Sequence, residues 1–203
     1  MKKLLLTGFE PFLKFTVNPT MKIVEELHGE TIGNYKVYGE VLPVDFASSG
    51  SKLLAHIEKI KPDAVISLGL AGGRSKITPE RIAINVKDGD ADNEGNKPTD
   101  EVILKEGNDG YFSTLPIRDM VNQLQASGFP AAISNSAGTY LCNNVMYMAL
   151  YFAHEFQPNM KCGFIHIPAS HELAIQHGGI PSWSHEDLKK SVSICIEALS
   201  SDE

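Results

Sequence analysis

The 203-residue chain is poor in features that mark several protein classes. It has three cysteines, Cys142, Cys162 and Cys195, an odd number with no C-x-x-C pair. That argues against a disulfide framework or a cysteine zinc site and fits a reducing, cytoplasmic compartment. No apolar run comes near the roughly 20 residues that a membrane span needs. Leu4–Leu6 behind Lys2 and Lys3 imitates the start of a signal peptide, but Thr7, Gly8 and Glu10 cut it short. Basic residues are in deficit: 18 Lys and Arg stand against 25 Asp and Glu, a formal net charge of −7. Without a basic stripe, neither nucleic acid nor an anionic membrane surface is an expected partner. Internal repeats, low-complexity tracts and linkers are missing too, so one domain over residues 1–203 is the expectation.

What remains is ordinary core-forming material. Hydrophobic residues make up 42% of the chain, and a chain this long buries roughly 70% of its unfolded surface, enough without metal or disulfide staples. Apolar runs alternate with helical patterns. Leu4–Phe9 reads as a buried strand closed by Gly8; Asn18-Pro19 then opens a helix with Met21, Val24 and Leu27 inward and Gly29 as its stop. Tyr35–Val44 is a loosely alternating strand ended by Pro43, and Phe46–Ile60 a helix with Leu53, Leu54, Ile57 and Ile60 at helical spacing. Ala64–Leu70 is strongly strand-like and Ile82–Val86 is a short strand, while the glycine- and acid-rich residues 87–110 are loops with room for a hairpin. Further on, Ile117–Gln125 reads as helix, Ala131–Ser134 as the start of a strand, Cys142–Phe156 as helix and Gly163–Ile167 as a buried strand. Ser184 N-caps a last helix with Leu188, Val192, Cys195, Ile196 and Leu199 on one face. Continuous apolar strands alternating with helices predict an α/β fold, an α/β/α sandwich around a mostly parallel (mixed) twisted sheet, with function at the carboxyl ends of its strands.

Four segments carry polar chemistry. Gly69-Leu70-Ala71-Gly72-Gly73-Arg74 follows a strand, where glycines let a backbone approach a ligand closely; a plain tight turn accounts for it equally well. It matches neither G-x-G-x-x-G nor a P-loop. Cys142 follows a small-residue turn and falls in the first turn of a long helix. Unpaired N–H groups and the positive helix end there stabilise a thiolate and can receive an oxyanion. Cysteine is also the side chain most often simply buried, which is how Cys162 and Cys195 read. His166 lies in the otherwise apolar Gly163–Pro168. It is either a core histidine bonded to a backbone carbonyl or a base at a strand's carboxyl end, and in both cases it must be paired, because an unsatisfied buried polar group costs about 1–3 kcal/mol. The other six histidines, His28, His56, His154, His171, His177 and His185, read as surface or loop residues. Glu80, within Ile77–Asn85, is either an ordinary surface charge or the carboxylate that fixes a catalytic imidazole's tautomer.

Together these segments resemble, in order and over nearly the whole chain, the type I pyroglutamyl peptidases, also called pyrrolidone-carboxylate peptidases. Residues 5–12 (LLTGFEPF) are similar to the family's opening motif, followed by Val17-Asn18-Pro19. Residues 69–85 resemble its glycine–glutamate signature, 92–96 the loop after it, 136–143 its cysteine signature and 163–168 its histidine signature. The resemblance implies a cysteine exopeptidase that removes N-terminal 5-oxoproline from peptides, with no metal or cofactor. It makes Cys142 the nucleophile, His166 the general base and acid, and Glu80 the orienting carboxylate. It further implies that Phe9 and Phe12 sandwich the ring, that backbone groups at Leu70 meet the lactam amide, that Asn18 and Tyr140 line the pocket, and that copies form a homo-oligomer, by analogy a tetramer. Ordinary packing is the competing account of Phe9 and Phe12.

The chain departs from the family pattern at Leu70, usually glutamine, at Tyr140, usually phenylalanine, and at Leu13-Lys14-Phe15-Thr16, where small residues are common. The stretch Val86–Asn93 lacks the family's arginine and proline and is a residue shorter. That arginine is associated with the mouth of the site and oxyanion support, and losing one oxyanion donor typically costs about 10²–10³ in kcat. Catalytic efficiency and substrate range are therefore where this chain is expected to differ. The rival functions are a non-catalytic binder of cyclic amides, a cysteine hydrolase of other small amides and, weakest, a phosphate or nucleotide binder at Gly69–Gly73.

Overall fold

The opening strand β1 (Lys2–Phe9) is followed by α1 (Pro19–Leu27), β2 (Thr31–Ile32), β3 (Tyr35–Leu42), α2 (Ser49–Ile60) and β4 (Ala64–Leu70). Short strands β5 (Thr78–Pro79), β6 (Ile82–Ile84) and β7 (Gly110–Phe112) lead to α3 (Ile117–Ala126) and α4 (Leu141–Phe156). Then come β8 (Lys161–Ile167), β9 (Ala169–Ser170), α5 (His171–His177), β10 (Ser182–Trp183) and α6 (His185–Ala198). The computed structural model describes residues 1–12 and 15–200; Leu13 and Lys14 of the divergent opening segment lie outside the described residues.

Local chemistry sets most boundaries. Asn18 Oδ1 accepts the Thr20 N–H at 3.1 Å and Pro19 takes the first position of α1, where a missing N–H needs no partner. The buried stripe of α1 includes Ile23, Val24 and Leu27; Met21, expected inward, is only half-buried. α2 starts at Ser49 rather than Phe46, because Asp45 accepts from the Ala47 N–H, the Ser48 hydroxyl and the Ser49 N–H and hydroxyl, holding the chain in a turn first. Ser184 caps α6 as its sequence predicts, accepting from the Asp187 N–H at 3.1 Å. The expected strand at Ala131–Ser134 is instead two isolated parallel bridges, Ile77↔Ala131 and Glu80↔Ser134. Pro79, with no N–H to donate, interrupts the ladder between them.

Six strands form one sheet in the order β2-β3-β1-β4-β8-β5. The four inner strands are parallel, and the short edge strands β2 and β5 run antiparallel to their neighbours. Both faces are covered, so the pleat distributes apolar residues between two cores. Leu4 and Leu6 of β1, Ile66 and Leu68 of β4 and Ile165 and Ile167 of β8 pack with α1, α3 and α6. Leu5 and Phe9, Val65, and Cys162 and Phe164 face α2 and α4. Each fully buried Leu, Ile or Phe contributes about 1.5–3 kcal/mol of transfer free energy, which is what holds the layers together.

The topology also opens a crevice. From β1 the chain crosses by α1 to β3 on one side; from β3 it crosses back by α2 to β4 on the other side of β1. β1 and β4 are paired only from Leu4↔Ala64 to Thr7↔Ser67, while β1 continues to Phe9 along β3 and β4 continues to Leu70 along β8. Their carboxyl ends therefore part, and this is the place where open α/β sheets bind ligands.

Candidate active site

The parted ends of β1 and β4 frame a cleft lined by Phe9, Phe12, Asn18, Val44, Leu70, Tyr140, Leu141 and Cys142. All five residues expected to bind substrate lie on it; Val44 and Leu141 are additions that sequence patterns did not single out. Asn18 contributes a wall rather than a free amide. Its Oδ1 caps α1 and its Nδ2 donates to Glu10 O at 3.1 Å. Leu70 packs its side chain among Ala169, Leu173 and Phe12, so only its backbone is available for polar recognition.

Cys142 is the second residue of α4, and Tyr140 ahead of it supplies no side-chain cap. The first-turn N–H groups of α4 are thus left to whatever occupies the cleft. The thiol lies over Gly69: a Cβ built there would stand 2.9 Å from Cys142 Sγ and 2.6–2.7 Å from the Phe164 ring. A glycine at the end of β4 is what admits the sulfur to the sheet surface. Gly69 is the register partner of His166, so the sulfur and the imidazole meet on one face of adjacent strands.

His166 is 6% exposed and tilts against Phe164, with ring centroids 4.9 Å apart. Its Nδ1 is 2.7 Å from Glu80 Oε1, and the Cys142 thiol is close enough to act on the charge of the ring. β5 explains the carboxylate. Thr78 pairs with His166 across β5 and β8, and Glu80, two residues on, is the diagonal neighbour on the same face. Glu80 is fully buried, so the reading of it as a surface charge does not hold. Its Oε1 also meets Arg74 Nη1 at 2.7 Å, whereas Oε2 has no hydrogen-bond partner. Burial by itself disfavours the Glu80 anion, but the His166, Ser134 and Arg74 contacts outweigh it and lower its pKa. The Ser134 hydroxyl, close enough to contribute, donates in this structure to Ser136 O at 3.2 Å. Burial likewise opposes a charged His166, yet attraction to Cys142 and Glu80 raises its pKa to about 9.

The surrounding loops are fastened by polar side chains. Asp92, buried, accepts from the N–H groups of Phe46, Glu94 and Asn96. Its desolvation is outweighed by these bonds, which hold its carboxyl below the ordinary aspartate value. Asn93 Nδ2 reaches both Glu10 Oε1 and Pro11 O at 3.0 Å, tying this loop to the segment that carries Phe12. Asn143, next to the cysteine and fully buried, accepts the Ile84 N–H at 2.9 Å and donates to Ile84 O and Val86 O, anchoring the first turn of α4 to β6. Where the loop lacks an arginine, Lys87 is paired with Glu101 at 3.0 Å, and the Tyr140 hydroxyl donates to Ala91 O at 3.2 Å. Burial first, then nearby Asp92 and Asp90, push the Tyr140 phenol up to about 12, so it stays a neutral donor.

Cys162 and Cys195 are fully buried, each thiol pushed up to about 12 by desolvation. The Gly69–Gly73 turn leads into β5 rather than a helix N-terminus, so it has no phosphate-binding architecture. Among the described residues, no three His, Cys, Asp or Glu side chains are grouped to hold a metal ion, and no helix is long and apolar enough to cross a membrane.

Known proteins resemble the chain over nearly its whole length. The family model for pyroglutamyl peptidase matches residues 2–202. A pyrrolidone-carboxylate peptidase of Lysinibacillus sphaericus is 60% identical over 197 residues, 97% of this chain and 96% of that protein. One from Oceanobacillus iheyensis is 54% identical over 199 residues, 98% of this chain and all of that protein. The crystal structure of Bacillus amyloliquefaciens pyroglutamyl peptidase I superposes with a TM-score of 0.95 at 39% identity, covering 99% of this chain and 98% of the other. Pyrrolidone carboxyl peptidase from Thermococcus litoralis gives 0.93 at 41% identity, covering 98% and 93%.

Proposed function

The chain belongs to the pyroglutamyl peptidase family, and we propose that it hydrolyses the amide bond after an N-terminal pyroglutamyl residue using Cys142, His166 and Glu80. One observation carries the assignment of roles: a single imidazole is bonded at Nδ1 to a buried carboxylate and shares a sheet face with a thiol that borders an apolar cleft.

The geometry supports a thioester route. With Nδ1–H donated to Glu80, His166 Nε2 takes the thiol proton and Cys142 Sγ attacks the pyroglutamyl carbonyl carbon. The oxyanion forms beside the uncapped first turn of α4, whose N–H groups offset its charge. His166 then gives its proton to the departing amine as the C–N bond breaks. Water, deprotonated by the same imidazole, opens the thioester, releasing 5-oxoproline and restoring the thiol. None of the eight cleft residues is charged, which suits a neutral lactam and disfavours a terminal ammonium. Phe9 and Phe12 supply ring contact, and the Leu70 backbone supplies the polar contact to the lactam.

The proposal covers one peptidase domain acting on pyroglutamyl peptides in the cytoplasm as a homotetramer, with no nucleic-acid or membrane partner. The three free cysteines fit a reducing compartment. The test is release of the chromophore from a pyroglutamyl arylamide, with Cys142→Ala beside the wild type. Turnover that survives in Cys142→Ala sinks the assignment, and thiol-dependent cleavage of other small amides but not this one would favour the amidase alternative.

A further inference from the structure

One charged side chain outside the triad is built into the site more firmly than a surface arginine requires. Arg74 sits in the turn after β4, its N–H bonded to Ala71 O at 2.9 Å, and its side chain is 35% exposed. Its Nη1 donates at 2.7 Å to Thr78 Oγ1 and at 2.7 Å to Glu80 Oε1. Thr78 Oγ1 in turn donates to the backbone carbonyl of His166 at 3.4 Å. A closed circuit results, from the His166 ring to Glu80, to Arg74, to Thr78 and back to the His166 backbone.

The circuit has a chemical consequence. Glu80 Oε1 receives two charge-assisted hydrogen bonds, while the equally buried Oε2 receives none. With the imidazole as its only charged neighbour, a fully buried carboxylate has two ways to fail: it can take the proton from His166, or rotate and present its other oxygen. A guanidinium on the same oxygen opposes both, by favouring the anion and by fixing the carboxylate's rotation. We propose that Arg74 is a positioning residue for the reaction, keeping Glu80 ionised and Oε1 presented to His166 Nδ1. This rests on the triad reading above. Arg74 does not line the cleft, so its influence on chemistry runs through Glu80.

The groups acting on the pair are few. On Glu80 these are His166 from β8, Arg74 from the turn, and the Ser134 hydroxyl from the bridging segment; on His166 they are Glu80 and Cys142 of α4. Arg81, the next residue along, has its Nε on Asn135 Oδ1 at 2.7 Å. Arg74 is accordingly the permanent cation of the circuit.

The test measures the pH dependence of Cys142 alkylation by iodoacetamide, together with kcat and KM on a pyroglutamyl arylamide. It compares the wild type, Arg74→Met, Arg74→Lys, Thr78→Val and, as a control on the imidazole, His166→Gln. Arg74→Met is expected to lower kcat about tenfold, a fraction of the about 10²–10⁴ that a positioned general base supplies, with KM changed by less than about twofold. Its alkylation profile loses the reactive form at higher pH, because Glu80 protonates sooner. Arg74→Lys keeps the charge and returns the profile to its wild-type position, but one ammonium cannot reproduce the fork, and kcat stays low by about threefold. Should Arg74→Met fail to fold, Thr78→Val, which frees one anchor of the guanidinium, carries the test through a similar few-fold loss in kcat. A wild-type profile and kcat in Arg74→Met, or a lower kcat with the profile unmoved, overturns the proposal; so does wild-type kcat in both Arg74→Lys and Thr78→Val. If wild-type alkylation has no edge that His166→Gln removes, the triad reading itself fails and takes this proposal with it.

Discussion

The two ends of β8 hold a cysteine and a histidine on the same face of the same strand, four residues apart, and their fates are opposite. At the amino end Cys162 is fully buried, its N–H taken by Thr114 Oγ1 at 2.7 Å, and desolvation pushes its thiol up to about 12. At the carboxyl end His166 is almost as buried, yet it sits between a carboxylate and a thiol beside a cleft, and its charged form is favoured. Burial alone makes a titratable group inert. Burial with a charged partner and an opening to solvent makes it chemical. The parallel sheet supplies that opening at one end only, where β1 and β4 part.

The strongest way to break this contrast is to exchange the consequences of the two cysteines. Cys142→Ala is expected to abolish arylamide cleavage, by about 10⁴-fold or more. Cys162→Ala should leave kcat intact and lower the unfolding free energy by about 1–2 kcal/mol, read from urea midpoints. Loss of activity in Cys162→Ala with a native midpoint would erase the distinction.

Gly69→Ala sharpens it next. A methyl group at the β4 end collides with Cys142 Sγ and the Phe164 ring, and one of them must move. A misplacement of roughly 1 Å in a reacting atom costs about 10²-fold in kcat, whereas overpacking costs stability about 1–3 kcal/mol. Kinetics should therefore suffer more than the melting temperature does, and the reverse outcome would mean that the sulfur has slack.

pH separates the groups further. Because the folded pKa of His166 is raised, its contribution to stability is complete below its ordinary value near 6.5 and disappears as pH rises through about 9. Glu80 and Asp92 have lowered values, so their contributions hold above the ordinary carboxylate range and are lost on acidification. Urea midpoints measured across pH should fall on both sides, and His166→Gln should remove the alkaline decline while leaving the acid one. An alkaline decline unchanged in His166→Gln would place its origin elsewhere.

Tyr140→Phe should be the mildest change. It deletes the bond to Ala91 O, worth about 0.5–1.5 kcal/mol, but keeps the edge-on contact with Phe46, whose ring centroid is 5.2 Å away. An expected change in kcat/KM of less than about threefold, measured on the arylamide, would mark the hydroxyl as a fastening of the loop; a much larger one would give it a part in catalysis.

Much of this was legible in residue order because the signals are local. Runs such as Ala64–Leu70 and Gly163–Ile167 are buried strands on both faces, and Asn18-Pro19 and Ser184 mark helix starts through bonds spanning two or three residues. Motifs kept in order singled out Cys142, His166 and Glu80, and the fold brings these three to one end of the sheet. Where reading failed, the cause lay elsewhere in space. The two-residue strands β5, β9 and β10 have too few side chains to show a period. Arg74, Asn143 and Asp92 look like ordinary polar residues until the backbone or carboxylate that each serves is known to be adjacent.

By itself, then, the order of residues determined which of the longer segments are strand and which helix, because backbone torsion and hydrophobic period are properties of neighbours along the chain. It also placed a thiol at the start of one helix and an imidazole at the end of one strand. Only the folded sheet decided that the two would come to one face and that Glu80 would be buried rather than solvated. It also put Gly69 where the sulfur needs room and brought Arg74 back onto the carboxylate. Those outcomes depend on strand register and crossover direction, which join residues up to 88 positions apart, such as Thr78 and His166, and which no local preference encodes.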